Sequence, residues 1–308
     1  MTTHRLGPSA ETTRDVFSRD HPPVLTVDPG AAVTVRSLDA RGFLAPQLTF
    51  PGPERPTLIA GGRGHCLTGP IEVRGAEPGD MLALQLCSLR PDSWGWTAAG
   101  GRDTPVERRL GVDGSQPAWL AWELDPDAGV GRAGAANAFT RTLRPFLGVM
   151  GVAPAEPGEH STIPPRAGSG GNIDCRELVA GTTLFLPVAV PGALLYLGDG
   201  HAAQGDGEVG GTAIECGMTT EAVIGLVPGR PVGTIHAEAP AGRITFGFGA
   251  DLNVAMGDAL DAMVSWMQAL FGLGRAAALA LASTCVDLRI TQVVNQTWGV
   301  HAVLPKQL

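Results

Sequence analysis

The sequence has 308 residues, and its 22 basic and 30 acidic side chains give a net charge of −8. An acidic chain without a basic cluster is a poor nucleic-acid binder, because that affinity comes largely from the neutralisation of phosphates. No apolar run reaches the roughly 18 residues of a membrane span, so we expect neither a nucleic-acid nor a membrane partner.

The cysteines and the first residues bear on the compartment. The five cysteines are widely spaced and form no Cys-x-x-Cys motif. The first residues lack the charged and then apolar pattern of a signal peptide. We therefore predict a cytoplasmic protein whose thiols stay reduced and mostly pack as small hydrophobic side chains.

Pro-Gly pairs punctuate the chain beside short apolar runs, at 29–30, 78–79, 191–192 and 228–229. Proline at the second position and glycine at the third are typical of a type II turn, since proline presets φ and glycine supplies a positive φ. A turn followed by an alternating strand, repeated several times, predicts a β-sandwich or jelly roll.

Residues 91–140 differ in composition from the rest, because they hold four of the six tryptophans, Trp94, Trp96, Trp119 and Trp122. One interpretation is a loop-rich insertion that its aromatic side chains anchor to the sandwich. The other is a lid or wall over a substrate pocket.

The helix signals lie near the C-terminal end. Apolar residues from Leu252 to Leu270 recur at helical spacing, with Asp251 as the N-cap and Gly272 as the stop. A second helix is predicted over 275–284 and an alternating strand over 286–294.

These elements predict a mainly β fold with some α-helix, a β-sandwich or jelly-roll-like architecture with a C-terminal helical pair. We expect a single domain over residues 1–308. It is either one body or two lobes, 1–150 with the Trp-rich insertion and 151–308 with the helices.

The densest group of polar side chains is the glycine-rich segment 198–208. It contains Asp199, His201, Gln204, Asp206 and Glu208. Such a loop allows close backbone approach and can direct carboxylate and imidazole groups to one point. Further candidates lie elsewhere in the chain: His65, Asn172, Asp174 and Glu215. The alternative is a solvated turn or a calcium-type structural turn, although its spacing does not match an EF-hand.

Lysine-dependent chemistry is disfavoured, because Lys306 is the one lysine beside 21 arginines. The Ser–Lys relay of amidase-signature enzymes and the Glu–Lys–Cys set of nitrilases both need a lysine. A Gly-x-Ser-x-Gly elbow is also absent from the sequence. A histidine with several carboxylates instead favours water activated by a divalent metal, with a glutamate that carries protons to the leaving amine.

The chain resembles the acetamidase/formamidase family over most of its length. The stretches that carry the resemblance are 23–30, 67–71, 75–80, 145–154, 170–174, 198–208, 211–215, 291–295 and 299–302. The resemblance implies a β-sandwich-based fold and the hydrolysis of a small linear amide to a carboxylate and ammonia. It also implies a bound metal, zinc or calcium, and a homo-oligomer.

The resemblance also implies site residues. Asp174 and His201 would be metal ligands, with His65 as the third. The catalytic residues would be Glu208 or Glu215, as general base or acid, with Gln204. The substrate pocket would be lined by Asp199, Asp206 and Asn172.

Several alternatives stay open at this point. The Trp-rich segment matches no family motif, so a larger or cyclic amide such as a lactam is an alternative substrate. A cysteine amidohydrolase that uses Cys66 or Cys175 is another alternative. A non-catalytic β-sandwich that holds a structural cation is the third.

Overall fold

The computed structural model describes residues 3–49, 55–229 and 231–307. The strands, in chain order, are β1 (Thr3–Leu6), β2 (Thr13–Arg14), β3 (Val16–Phe17), β4 (Leu25–Val27), β5 (Ala31–Ser37), β6 (Leu67–Val73), β7 (Asp80–Pro91), β8 (Trp94–Ala99), β9 (Ala118–Asp125), β10 (Val130–Ala133), β11 (Phe139–Thr142), β12 (Phe146–Val152), β13 (His160–Ser161), β14 (Gly170–Asn172), β15 (Thr183–Pro187), β16 (Leu195–His201), β17 (Glu215–Cys216), β18 (Met218–Pro228), β19 (His236–Ala239), β20 (Gly242–Gly249), β21 (Asp287–Gln292) and β22 (Trp298–Leu304). The helices are α1 (Pro105–Leu110), α2 (Leu252–Phe271) and α3 (Arg275–Cys285), with a 3-10 turn at Ala135–Asn137. This mainly β content with a C-terminal helical pair confirms the predicted fold class.

The described strands form two large sheets and one short two-stranded ladder, β13 with β3. The nine-stranded sheet has the order β1-β5-β18-β7-β15-β19-β20-β22-β21. The eleven-stranded sheet has the order β11-β10-β9-β8-β17-β16-β12-β14, and β6 pairs with β16 and carries β2 and β4. Each sheet takes strands from before and after residue 150, so that residue does not separate one sheet from the other.

The main core lies between these two sheets. Leu82, Leu84 and Leu86 are two residues apart in β7 and are fully buried, as one face of a strand requires. They belong to the same apolar cluster as Leu195 and Leu197 of β16 in the other sheet. Burial of such side chains between two sheets is the main favourable term for a sandwich.

The Pro-Gly turns have the backbone that the sequence predicts. Gly30, Gly79, Gly192 and Gly229 all have positive φ, at 88°, 101°, 78° and 59°. The expected strand after Gly229 differs, because β19 begins only at His236. Prolines lack the N–H that a ladder needs, and Pro231 lies in this stretch.

The Trp-rich segment is not loop-rich. It contains α1 and the strands β8 to β11, which extend the eleven-stranded sheet as an antiparallel meander. Trp96 and Trp122 are buried, and the rings of Trp96 and Trp119 stack with centroids 4.6 Å apart. The segment is therefore part of the sandwich, and β8 carries Trp96 beside β17.

The two predicted helices are confirmed: α2 has its predicted ends, and α3 ends one residue after the predicted position 284. Asp251 accepts hydrogen bonds from the backbone N–H groups of Asn253 and Val254, and Gly272 ends α2 in the left-handed conformation. The buried face of α2 packs on β22.

Among the described residues no single helix is both long and apolar enough to cross a membrane. The pair α2 and α3, bent by 106°, reaches that length and hydropathy only together.

Glycines in β20 and α2 allow a test of this packing. A Cβ on Gly247 would collide with the carbonyl oxygen of Ala255 and lie 2.6 Å from the backbone nitrogen of Ala259. We expect Gly247→Ala to lower the free energy of unfolding by about 3 kcal/mol, because the helix must move away from the sheet. A Cβ on Gly257 would meet no atom within 4 Å, so Gly257→Ala should raise stability by about 0.5–1 kcal/mol. Urea denaturation of both variants checks the opposite signs, and equal effects would contradict this packing.

Candidate functional site

Polar side chains converge where strands of the eleven-stranded sheet meet the loops that follow them. β16 supplies Asp199 and His201, which are two residues apart, and the neighbouring β17 supplies Glu215. Asp174 follows β14, and Glu208 ends the loop after β16. All five side chains are buried, at 6 % exposure or less. The fold therefore brings together residues that are up to about forty positions apart in the sequence.

The backbone at three of these carboxylates is unusual. Asp174, Asp199 and Glu208 have positive φ, at 53°, 58° and 44°. Such conformations cost on the order of 1 kcal/mol or more for residues with a side chain, and they concentrate at functional sites.

His201 lies at the centre of the cluster. Its Nε2 is 3.3 Å from Oε1 of Glu215, 3.4 Å from Oδ2 of Asp199 and 3.9 Å from Oε1 of Glu208. Two groups of ligand atoms, each within 4.8 Å of one another, could hold a metal ion. They are Asp174, Asp199 and His201, and His201, Glu208 and Glu215.

The amide of Gln204 fixes the orientation of the His201 ring. Nε2 of Gln204 donates to the backbone carbonyl of Asp174 at 2.7 Å, so its Oε1 faces Nδ1 of His201 at 2.9 Å. Because that oxygen can only accept, Nδ1 of His201 carries the proton. In the neutral ring the lone pair of Nε2 then points at the carboxylates, which is the usual arrangement of a metal-binding histidine.

Several polar atoms of the cluster have no hydrogen-bond partner among the described residues. They are Oδ1 of Asp174, Nε2 of His201 and Oε2 of Glu215. Oδ2 of Asp174 accepts from Nδ2 of Asn295 at 2.7 Å, and that amide also donates to Gln292. Buried polar atoms are normally satisfied, so the free atoms mark the point at which a ligand would bind.

Electrostatics also indicates a site that lacks positive charge. Burial raises the pKa of Asp174 well above its ordinary value, that of Glu208 to about 8 and that of Glu215 to about 7. Burial disfavours a charged imidazole, but Glu215 and Asp199 outweigh it and raise the pKa of His201. Burial likewise acts to raise the pKa of Asp199, but His201 and His65 hold it below the ordinary value. The raised pKa values of Asp174, Glu208 and Glu215 indicate that nearby positive charge is too small to keep these buried carboxyl groups ionised.

A glycine leaves the room for this cluster. A Cβ on Gly148 of β12 would collide with Oδ2 of Asp199 and lie 2.7 Å from Oδ1 of Asp174 and 2.8 Å from Cε1 of His201. The space beside the two aspartates therefore exists only because residue 148 has no side chain.

The cluster lies at the floor of an open cavity of about 770 Å³. Asp199, Glu208, Glu215 and Asn172 line it, with Trp96 on one wall. His65 also lines the cavity, and its Nε2 is 3.8 Å from Oδ2 of Asp199. Its Nδ1 is 3.0 Å from the hydroxyl of Thr162, and it belongs to neither metal-ligand group.

Two of the expected residues lie elsewhere. Asp206 is exposed and faces Arg176, with 3.8 Å between Oδ1 and Nε, and it does not line the cavity. Gln204 lies behind His201 and does not line the cavity either. Asn295 and Gln292 contact the cluster, although sequence reasoning assigned them no role. Their position in a family motif, 291–295, was the available signal.

The cysteines do not have the environment of nucleophiles. Cys66 and Cys175 are buried and do not line the cavity. Burial raises the pKa of the Cys66 thiol to about 12 and that of Cys175 still further. A reactive thiol needs a lowered pKa and access, so the cysteine alternative has no support here.

His301, in β22, does not line the cavity. Its burial predicts that the stability of the fold depends on pH. Burial lowers the pKa of its imidazole to about 3, whereas the unfolded chain has a histidine pKa near about 6.5. The unfolded state therefore binds more protons between those values, and stability is lost as the pH falls through that window. Between pH 7 and pH 5 we expect the free energy of unfolding to drop about 2 kcal/mol more in the wild type than in His301→Gln. Equal losses in denaturation at the two pH values would contradict this.

Comparisons with known proteins show which family the chain resembles in sequence and in fold. A model of the acetamidase/formamidase family matches residues 4–160 and 155–231. The chain is 29 % identical to an acetamidase of Mycolicibacterium smegmatis, with 54 % of each chain covered. It superposes on the crystal structure of an acetamidase from Bacillus halodurans with a TM-score of 0.85 at 25 % identity, covering 98 % of this chain and 97 % of that one. For an acetamidase from Yersinia enterocolitica the TM-score is 0.84 at 27 % identity, covering 99 % and 92 %.

The curated relatives are matched over 47 % to 61 % of their own length. The family model, in contrast, spans more than half of this chain, and the solved acetamidases are covered almost completely. These findings confirm the resemblance found in the sequence: the chain belongs to the acetamidase/formamidase family.

Proposed function

We propose that the chain is a metal-dependent amidohydrolase that cleaves the C–N bond of small linear amides to a carboxylate and ammonia. The observation that carries the proposal is the arrangement of His201 and four buried carboxylates at the floor of an open cavity. Membership of the family, and relatives named acetamidase and formamidase, support this substrate class.

The residues present fit a divalent cation. Oδ1 of Asp174 and Nε2 of His201 are buried without hydrogen-bond partners, and Gly148 leaves room beside them. Burying several carboxylates is costly unless a positive charge compensates them. We infer that Asp174, Asp199 and His201 hold the ion. Imidazole and carboxylate donors without a thiolate suit zinc, and the imidazole disfavours calcium.

His65 is assigned differently from the sequence-based expectation. Its Nε2 is 3.8 Å from Asp199 and it lines the cavity. We infer that it faces the substrate and Oδ2 of Asp199, the same oxygen that faces His201. Gln204 positions His201 through its amide, and Asn295 positions Asp174 in the same way.

In this assignment Glu208 is the side chain that transfers protons during hydrolysis. A bound divalent cation supplies a water of lowered pKa and polarises the amide carbonyl. Glu208 lines the cavity within 3.9 Å of His201, so it can take a proton from the attacking water and deliver one to the leaving nitrogen. Glu215, whose Oε1 accepts from the backbone N–H of Ala213 at 2.9 Å, holds its carboxylate beside His201. Homo-oligomer formation and a cytoplasmic location stay predictions.

Metal analysis followed by an amide panel tests the proposal. We expect the purified protein to contain about one equivalent of zinc or a similar divalent metal per chain, because the described part of each chain has one His–carboxylate centre. Chelation should reduce the release of ammonia from formamide and acetamide to background, and added zinc should restore it. A rate that survives complete removal of the metal would refute the metal mechanism. A lowered melting temperature after chelation, with no amide hydrolysed before it, would instead favour a structural cation.

A further inference from the structure

The cavity above the carboxylate cluster is far larger than formamide or acetamide needs. Its volume of about 770 Å³ lies in the range of pockets that hold drug-sized ligands, roughly 300–1,000 Å³. The cavity therefore has room for a larger substrate, whose remaining atoms would contact residues beyond the cluster.

Positive charge surrounds the mouth of this cavity. Four arginines line it: Arg41, Arg55, Arg63 and Arg102. Two of them are neutralised, because Arg63 pairs with Asp15 and Glu159, and Arg102 pairs with Glu107. Arg41 and Arg55 have no carboxylate partner among the residues that the structure describes. Within the described part of the chain, the mouth therefore offers two guanidinium groups without a carboxylate partner, whereas the floor is acidic.

Trp96 links the position of Arg41 to that of the buried carboxylates. Trp96 is the partner of Glu215 across the β8–β17 ladder, so the two side chains lie next to each other on one face of the sheet. Cζ of Arg41 lies 5.5 Å from the centroid of the Trp96 ring, and stacking on an aromatic ring orients a guanidinium. Arg41 and Glu215 are thus both neighbours of Trp96, and both line the cavity.

We propose that the preferred substrate is a primary amide that carries a carboxylate a few bonds from the amide carbon, the half-amide of a short dicarboxylic acid. The amide group lies at Glu208 and Glu215, the carboxylate binds the guanidinium of Arg41, and the methylene chain spans the cavity between them. An arginine fork matches a carboxylate in geometry as well as in charge. This inference rests on the proposed amidase function and specifies its substrate.

The reaction stays the hydrolysis already proposed. Water adds its oxygen to the amide carbon, the C–N bond breaks, and the protons of water leave with the nitrogen. Succinamate and water thus give succinate and ammonium, with no further reactant.

A matched pair of amides tests the proposal. Succinamate carries the carboxylate, and 4-oxopentanamide has nearly the same shape with a neutral methyl ketone in its place. We expect the ratio of kcat/KM for succinamate over 4-oxopentanamide to be at least about 10 in the wild type, the ratio that one favourable charge contact gives. The ratio should approach one in Arg41→Met, and Arg41→Lys should keep part of it. Raising the salt concentration should lower the ratio, because exposed charges are screened.

Controls separate this proposal from the amidase function on which it rests. Arg74 pairs with Asp28 outside the cavity, so Arg74→Met should leave the ratio unchanged. A wild-type ratio near one, or a ratio that Arg41→Met does not lower, would overturn the carboxylate proposal while leaving the amidase function intact. If no amide is hydrolysed, the amidase function fails, and calorimetric titration decides the carboxylate proposal. Binding of succinamate at least about tenfold tighter than 4-oxopentanamide, lost in Arg41→Met, would support it, and equal binding would overturn it.

Discussion

Replacing Glu208 by glutamine is expected to lower kcat for acetamide by about a hundredfold to ten-thousandfold, the range that a proton-transferring side chain contributes. The same change should leave the free energy of unfolding unchanged or raise it slightly. Steady-state ammonia release and thermal denaturation of Glu208→Gln measure the two quantities on one preparation.

The position of the carboxyl group explains why the substitution lowers kcat but does not lower the free energy of unfolding. Glu208 is 6 % exposed, lines the cavity, and faces His201 among three other carboxylates. Glutamine has the same shape and keeps the packing, but it cannot take a proton from water. Because burial raises the pKa of Glu208 to about 8, its carboxyl group is largely uncharged at neutral pH, so glutamine changes the charge of the folded state little and removes no strong ion pair.

Asp206 offers a matched control in the same loop. It is two residues from Glu208, but it is exposed and faces Arg176 at 3.8 Å instead of the cavity. Asp206→Asn should therefore change activity and stability little, since exposed pairs contribute about 0–1 kcal/mol. If Glu208→Gln kept the wild-type rate but lowered the melting temperature, Glu208 would be a structural acid and the catalytic assignment would be wrong.

Local features of the fold were predictable from the sequence because their causes are local. The cap at Asp251, the stop at Gly272 and the apolar periodicity between them define α2 without any knowledge of its neighbours. The positive φ at Gly30 and Gly79 follows in the same way from the chemistry of a Pro-Gly turn. The Trp-rich segment was less predictable, because strands β8 to β11 gain their stability from pairing with one another and with β17.

The candidate site was predictable in composition and only partly in geometry. Asp199 and His201 are two residues apart in β16, the spacing that places side chains on one face of a regular strand, whereas the positive φ of Asp199 is not evident from the sequence. In the irregular loop that follows, no periodicity decides which side chains turn inwards, so Asp206 and Gln204 could not be placed. Asn295 reaches Asp174 across 121 positions in the sequence, and only the assembled sheet brings such residues together.

Gly148 shapes the site, although a glycine has no functional group that would suggest such a role in the sequence. It lies in β12, whose ladder with β16 pairs Leu147 with Gly200 and Val149 with Gly198. That pairing sets residue 148 beneath Asp199. Substitution by alanine is expected to abolish both metal binding and amide hydrolysis, because the added methyl group would occupy the space between Asp199 and Asp174. Metal content and ammonia release, measured on protein whose circular dichroism matches the wild type, check this expectation.

The backbone does not explain such a loss, because the φ of Gly148 is not positive and alanine can adopt it. Overpacking alone should cost about 1–3 kcal/mol of stability, which a folded protein of this size can tolerate. Gly225 of β18 is the matched control, since its Cβ would make only ordinary contacts at 3.8 Å with Ala83. Gly225→Ala should keep metal and activity. A Gly148→Ala variant that retained a full complement of metal would show that the ion lies outside the space bounded by Asp174, Asp199 and His201, and the ligand assignment would then have to move to His201, Glu208 and Glu215.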